Sequence, residues 1–440
     1  MNGGTFQPGV EKTRPGIYTR FTEKAQTRIS GSDRGRAALP VILSWGVPNK
    51  IIEVSSDADA INKLGVSLSD PSMFLVREAK KRSNTVLVYR LNDGQKATGS
   101  IGPDSSVSAI YGGKKGESIM IRVSPNVLDS ELFDVETFFD EAQVERQTVA
   151  SAADLQSNAY VEFRGTGSLD PTVGIYLQGG SDGVVTPQAY AGFLSALETE
   201  SFNTVAFPVA DEALKVTAAS FIRRMREDVG IKVQGVIADY DGSYEGIINV
   251  TSSVQLDAGR VLTNPEATAW VAGATAGAST LQALTSVVYE GAADVSVRLD
   301  NAEIIKRLKN GEFIFTFDPS DRTVSVEQDL NSAAKGKFAK NKIVRIIDAI
   351  NNDLRSGIKA IILQAKQGGA DIPGNEDGES IIRTGIVQYM NELQAAGAIQ
   401  NFDPEEDVVV SLMSGDSVMV KIAVQPVDSV EKVYLDVEVS

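Results

Sequence analysis

Val418, Val420, Ile422 and Val424 alternate with Met419, Lys421, Ala423 and Gln425. After Pro426 and the polar pair Asp428-Ser429, the alternation resumes through Val433, Leu435, Val437 and Val439, up to Ser440. A strict period of two over such lengths reads as a half-buried β-strand. Each strand shows four branched apolar side chains on one face. Burying four would stabilise by roughly 6–12 kcal/mol gross, at about 1.5–3 kcal/mol each. A strand at a chain end must still find partners for its backbone groups. Near the other end, Ile17-Tyr18-Thr19-Arg20-Phe21-Thr22 follows a Pro-Gly turn and reads as another strand. Both ends therefore read as extended arms that close on their own domain or add to a sheet in a neighbouring subunit.

Between the arms lies more chain than one ordinary core accommodates, since 440 residues imply several domains. Residues 1–35, with five Arg between Arg14 and Arg36, read as a solvated tail or as an N-terminal arm that orders on assembly, and the Ile17–Thr22 alternation favours the arm. Residues 36–94 open an α/β core: a buried strand over Ala37–Trp45, a helix opened by Asp70-Pro71, and a strand over Thr85–Tyr89. From 95 to 174, short strand-like runs separated by Gly, Pro, Asp and Ser read as a β-rich insertion. The α/β texture returns over 175–300. Helices are expected at Pro187–Glu200, after Asp211 as far as Gly230, and at Pro265–Ala278, with strands at Thr204–Val209, Val233–Ala238 and Gly246–Val250. Residues 301–416 read as an α+β domain. It holds a hairpin (Gly311–Phe317 with Thr323–Glu327), a long helix striped by Ile343, Ile347, Ile350, Leu354, Ile358 and Ile361, and a second helix over Gly378–Ala396. Residues 417–440 are the terminal strands and arm.

Two absences exclude most familiar chemistry. Without Cys there is no disulfide, thiolate nucleophile or Cys metal site. Without His there is no Ser-His-Asp triad, imidazole base or His ligand. No catalytic, cofactor-binding or metal-ligating residue is assigned, and no cofactor is expected. A net charge of −16 speaks against a nucleic-acid binder and favours partners with basic surfaces. No run of eighteen apolar residues spans a membrane, and the first residues lack the regions of a signal peptide, so synthesis in the cytoplasm is expected.

The Gly-rich stretches Tyr111–Ser118 and Gly179–Gly183 have neither phosphate-loop nor dinucleotide-loop spacing and read as turns. Asp371–Glu379 departs from the calcium-loop pattern and reads as a solvated connector. Lys335, Lys337, Lys340 and Lys342 crowd four positive charges into eight residues of an acidic chain. They read as a solvated helix start or as a docking patch for an acidic partner.

Several segments in order resemble one family. Ala269-Trp270-Val271-Ala272-Gly273 is similar to a helix of contractile-tail sheath proteins. So are Val326–Asn331, Lys340–Arg345, Gly397–Phe402, and Ala423–Asp428 with Glu431–Tyr434. The resemblance is closest to sheaths of PBSX-like defective prophages, related myophages and phage-tail-like bacteriocins. It implies an α/β and α+β multidomain fold: a subtilisin-like α/β sheath domain, a β-rich insertion, and an α+β C-terminal domain with extended arms. It implies a structural subunit rather than an enzyme, stacked in helical rings around a tail tube and contracting to drive that tube through a bacterial envelope. The implied partners are further copies of itself, the tube protein, and baseplate and tail terminator proteins, with no nucleic acid and no membrane insertion. The implied place is the virion tail sheath, assembled in the host bacterial cytoplasm and released on lysis. The inter-subunit arms would use Ile17, Tyr18, Thr19, Arg20 and Phe21 at one end and Val433, Tyr434, Leu435, Val437 and Val439 at the other. The four lysines would face the tube. The alternative is an α/β enzyme with a β-rich insertion, acting through Asp and Lys.

Overall fold

A computed structural model describes residues 29–31, 34–413 and 416–438. The N-terminal candidates Ile17, Tyr18, Thr19, Arg20 and Phe21, and Val439 at the other end, lie outside the described residues. The chain forms two compact units, Ser32–Asn352 with Pro426–Ser440, and Met1–Gly31 with Asp353–Gln425.

The larger unit is built on a seven-stranded sheet. Its order is Glu312–Phe313, Ile247–Val250, Gln234–Ala238, Thr204–Phe207, Arg36–Val41, Thr85–Arg90, Ile51–Val54. All neighbours are parallel except the last pair. Parallel strands covered on both faces need apolar residues at successive positions, which is why these segments read as continuous apolar runs. Leu39, Val88, Ala206, Val236 and Ile248 point into one core, and Ala38, Leu87, Val205 and Ile237 into the other. The first core is closed by the helices Phe74–Lys80 and Asn264–Gly277, the second by Pro187–Leu197 and Glu212–Arg224. The edge strand Ile51–Val54, the helix Asp57–Leu64, the short strands Val254–Leu256 and Ala292–Val295, and the helix Asn301–Lys309 went unread in the sequence.

The expected hairpin strand Gly311–Phe317 divides in two. Glu312–Phe313 joins the large sheet, and Phe315–Asp318 pairs with Thr323–Val326. Phe313, Phe315, Val324 and Val326 belong to the same core as Trp270, so this stretch packs with the α/β half. Trp270 stacks on Tyr289 with ring centroids 4.5 Å apart.

The insertion consists of two antiparallel sheets around one core. One has the order Thr172–Tyr176, Ile119–Pro125, Phe133–Phe139, Ala142–Val149, and the other Thr98–Gly102, Ser105–Ala109, Val161–Gly165. Thr98 also bridges to Gln178, so pairing runs past residue 174. The Gly-rich stretches meet where the insertion joins the core. A Cβ on Gly94 would stand 1.6 Å from the Ser181 carbonyl oxygen, and one on Gly113 2.0 Å from that of Ser44. Backbones in direct contact leave no room for a side chain, so these glycines are demanded by packing. Buried Arg90 donates to the Gly46 and Gly112 carbonyls at 2.6 and 2.7 Å, and Asn92 to those of Leu43 and Asp182 at 2.8 and 2.6 Å.

In the smaller unit, residues 353–367 of the long helix Asn341–Gln367 pack against the helix Glu376–Ala395. Gly357 and Gly385 make room for buried Ile29 and for Ile361, and the Tyr389 hydroxyl donates to Asp353 at 2.7 Å. A hairpin, Val408–Leu412 with Val418–Ile422, completes the unit.

Candidate assembly surfaces

The expected strand at Val418–Gln425 is present over Val418–Ile422, paired with a strand that went unread, Val408–Leu412. The hairpin is seated on the helix Glu376–Ala395. Leu412 N donates to Glu379 at 2.6 Å, and Arg383 donates to the Val408 carbonyl at 3.3 Å. A two-stranded sheet leaves each strand one edge turned away from its partner. Beside it lies a groove of ≈ 850 Å³ whose apolar lining includes Ile358, Ile362, Ile382, Leu412, Val418 and Val420.

The other terminal segment departs from its expected form within this chain. No strand forms over 433–438. Tyr434 is 90% and Leu435 86% exposed, and Val433 and Val437 are exposed beside them. A strand needs a partner ladder, and this segment meets none among the described residues. Large apolar side chains grouped in water are uncommon on the surface of a soluble protein.

The lysines are also divided. Lys335 and Lys337 are exposed, in the turn leading to the long helix. Lys340 binds Asp428 at 2.7 Å and Glu431 at 3.0 Å. Buried Lys342 donates to the Ser429 hydroxyl at 3.0 Å. Burial alone would lower the Lys340 pKa, but Asp428 and Glu431 outweigh it and hold the ammonium above its ordinary value. Asp428 lies 88 residues downstream of Lys340 and Glu431 further still, so local charge reading had no means of finding them. The Glu431 motif was visible only as part of the family resemblance.

No group of three or more acidic side chains among the described residues is placed to hold a metal ion. Nor is any described helix long and apolar enough to cross a membrane.

Four family models match consecutive stretches of the chain. They are the tail sheath protein Gp18 domain III N-terminal region over 34–91, the phage tail sheath protein beta-sandwich domain over 92–182, the phage tail sheath protein central domain over 183–332, and the phage tail sheath C-terminal domain over 333–440. The phage-like element PBSX protein XkdK of Bacillus subtilis (strain 168) is 50% identical over 466 residues, covering 100% of both chains. The crystal structure of the sheath tail protein of Listeria innocua matches with a TM-score of 0.85 at 45% identity, over 93% of this chain and 95% of that one. The anti-feeding prophage helical sheath in its contracted state shares the fold, with a TM-score of 0.61 at 13% identity over 98% and 99%.

Proposed function

This chain belongs to the phage tail sheath protein family, and from that premise we propose that its subunits stack helically around a tail tube and contract to drive the tube through a bacterial envelope. It is a structural tail sheath subunit of a phage or phage-like particle. The α/β enzyme alternative has no support in the family.

The observation that carries the assembly reading is the pairing of two features that are incomplete among the described residues. One is an exposed apolar segment over 433–438 that meets no partner strand there, and the other a hairpin whose two strands pair only with each other there, above an apolar groove. The segment of one subunit would add to the hairpin of another by strand addition, whose ladder hydrogen bonds and apolar contacts persist while the subunits tilt. Ile17–Phe21 would serve the same sheet from the other chain end. Contacts that must break on contraction would be exposed charge pairs, each contributing about 0–1 kcal/mol. The stretch Lys335–Lys342 would face the tube protein, with Lys335 and Lys337 as its exposed charges. The insertion would project outward, and baseplate and tail terminator proteins would bind at the two ends. Assembly in the host cytoplasm and release on lysis follow from that role. The subtilisin-like comparison of the central sheet would be one of fold only, because a chain without His has no triad.

Deleting Val433–Ser440 tests the reading. The truncated subunit should fold and remain monomeric, while the full chain forms hollow striated tubes by negative-stain microscopy. Normal tubes from the truncation would refute it.

A further inference from the structure

Glu431 is oriented against the ordinary rule. Its side chain is 10% exposed, whereas Val430 just before it and Val433 two residues after it are 87% and 73% exposed. A charged side chain turns inward between outward-facing valines only where a site receives it. Here Oε1 accepts from Thr285 Oγ1 at 2.9 Å, and Oε2 from Gln328 Nε2 at 2.9 Å and Lys340 Nζ at 3.0 Å. Lys340 reaches Asp428 as well, and Lys342 reaches Ser429.

The receiving surface is built independently of the segment. Thr285 Oγ1 accepts from Asp329 N at 3.1 Å. The buried Asp329 carboxylate accepts from Leu284 N at 3.0 Å and Asn341 Nδ2 at 2.9 Å, and Arg345 lies 3.4 Å away. Donors held by a buried network need little reordering to bind a carboxylate.

We propose that Glu431 is the positioning residue of the C-terminal arm, clamping residues 426–431 to its own subunit so that only the chain beyond Lys432 is given to a neighbour. The proposal rests on the reading of 433–440 as an intermolecular strand. It divides that end of the chain into an anchored part and a donated part. The donated part is about 26 Å long when extended. It also names where tension enters the subunit, since Lys340 directly precedes the long helix Asn341–Gln367. Chain under load would pull on an ammonium at the start of that helix rather than on the hairpin just upstream.

Two measurements on the free subunit test the clamp, and one on assembled particles tests its role. A zero-length carbodiimide should join Lys340 to Glu431 or Asp428 within one chain. Trypsin should cut slowly after Lys432, because the protease needs several extended residues on both sides. Glu431→Ala and Lys340→Met should each speed that cut about tenfold, with an unchanged global unfolding midpoint. Lys340→Met leaves the sequence around the cut intact, so a faster cut there cannot reflect protease preference. In assembled particles the cross-link should remain within a chain. Unchanged cutting in both variants would overturn the proposal, as would cross-links joining Lys340 and Glu431 of different chains. If Val433–Ser440 proves dispensable for tubes while the free-subunit results hold, the arm reading fails and the clamp stands.

Discussion

Trp45 meets Tyr111 edge-on, with ring centroids 5.3 Å apart and planes at 78°. Trp45 belongs to the core segment before the insertion, yet it lies in the insertion's own hydrophobic cluster and also touches Phe139. The insertion is therefore not a bead that lifts away cleanly. Joining Asn92 to Gly174 through a short linker would uncover the indole, at about 1.5–3 kcal/mol, and would leave Arg90 without the Gly112 carbonyl. The excised protein should aggregate or melt at a lower temperature, and adding Trp45→Gln should restore solubility. A fully stable excision retaining Trp45 would contradict this.

Arg226 forms two hydrogen bonds with Asp348, at 2.6 and 2.9 Å, and both side chains are buried. Removing one partner of a buried pair strands the other charge. Arg226→Met should therefore lower unfolding stability by about 3–5 kcal/mol. Chemical denaturation measures this, and a loss below about 1 kcal/mol would mean that the pair behaves as a surface one.

Gly273 lies against the backbone of the helix Phe74–Lys80. A Cβ there would stand 2.0 Å from the Ala79 carbonyl oxygen. Gly273→Ala must push two packed helices apart and should cost about 1–3 kcal/mol, despite alanine's better helix propensity. A urea midpoint unchanged or raised would show that the contact is looser than described.

The clamp should have a pH window. Burial alone would raise the Glu431 pKa, but hydrogen bonds from Gln328, Lys340 and Thr285 outweigh it and hold the carboxyl below its ordinary value. A lowered carboxyl contributes above its unfolded value, about 4.3, and that contribution is lost as pH falls through the folded value. Lys340, held above its ordinary value, contributes below about 10.4 and loses its contribution as pH rises through the folded value. The chain has no Cys, so Val430→Cys takes a single fluorophore at an exposed position. Its anisotropy should be high at neutral pH and fall at both extremes. A flat profile would exclude these groups as the clamp.

The four lysines should separate by function. Lys335→Glu with Lys337→Glu should leave the free subunit's stability unchanged and weaken assembly of sheath on tube. Lys340→Glu should instead speed tryptic cutting at Lys432, and Lys342→Glu should lower the melting temperature, because that side chain is buried. Reversing all four would mix these effects, so only the first pair is a clean test of tube contact. Extended tails from that pair at wild-type yield would remove the tube-facing assignment.

What the chain carries locally was legible without coordinates. Continuous apolar runs announced the buried parallel strands, Asp211 and Gly230 bracketed a helix, and the isoleucine stripe announced the long helix. Each is set by neighbours within a few residues, and the family signature lay in the same short segments. Tertiary structure alone decided the rest, because it depends on groups far apart in sequence. Ile51–Val54 became an edge strand by pairing with Thr85–Arg90, Gly311–Phe317 split between two sheets, and the two Gly-rich stretches met beside Gly94. Lys340 found Glu431 across the chain, turning half of an expected docking patch into an internal anchor. The period-two pattern of 433–438 reads as a strand, but a strand exists only with a partner ladder, and none of the described residues supplies one.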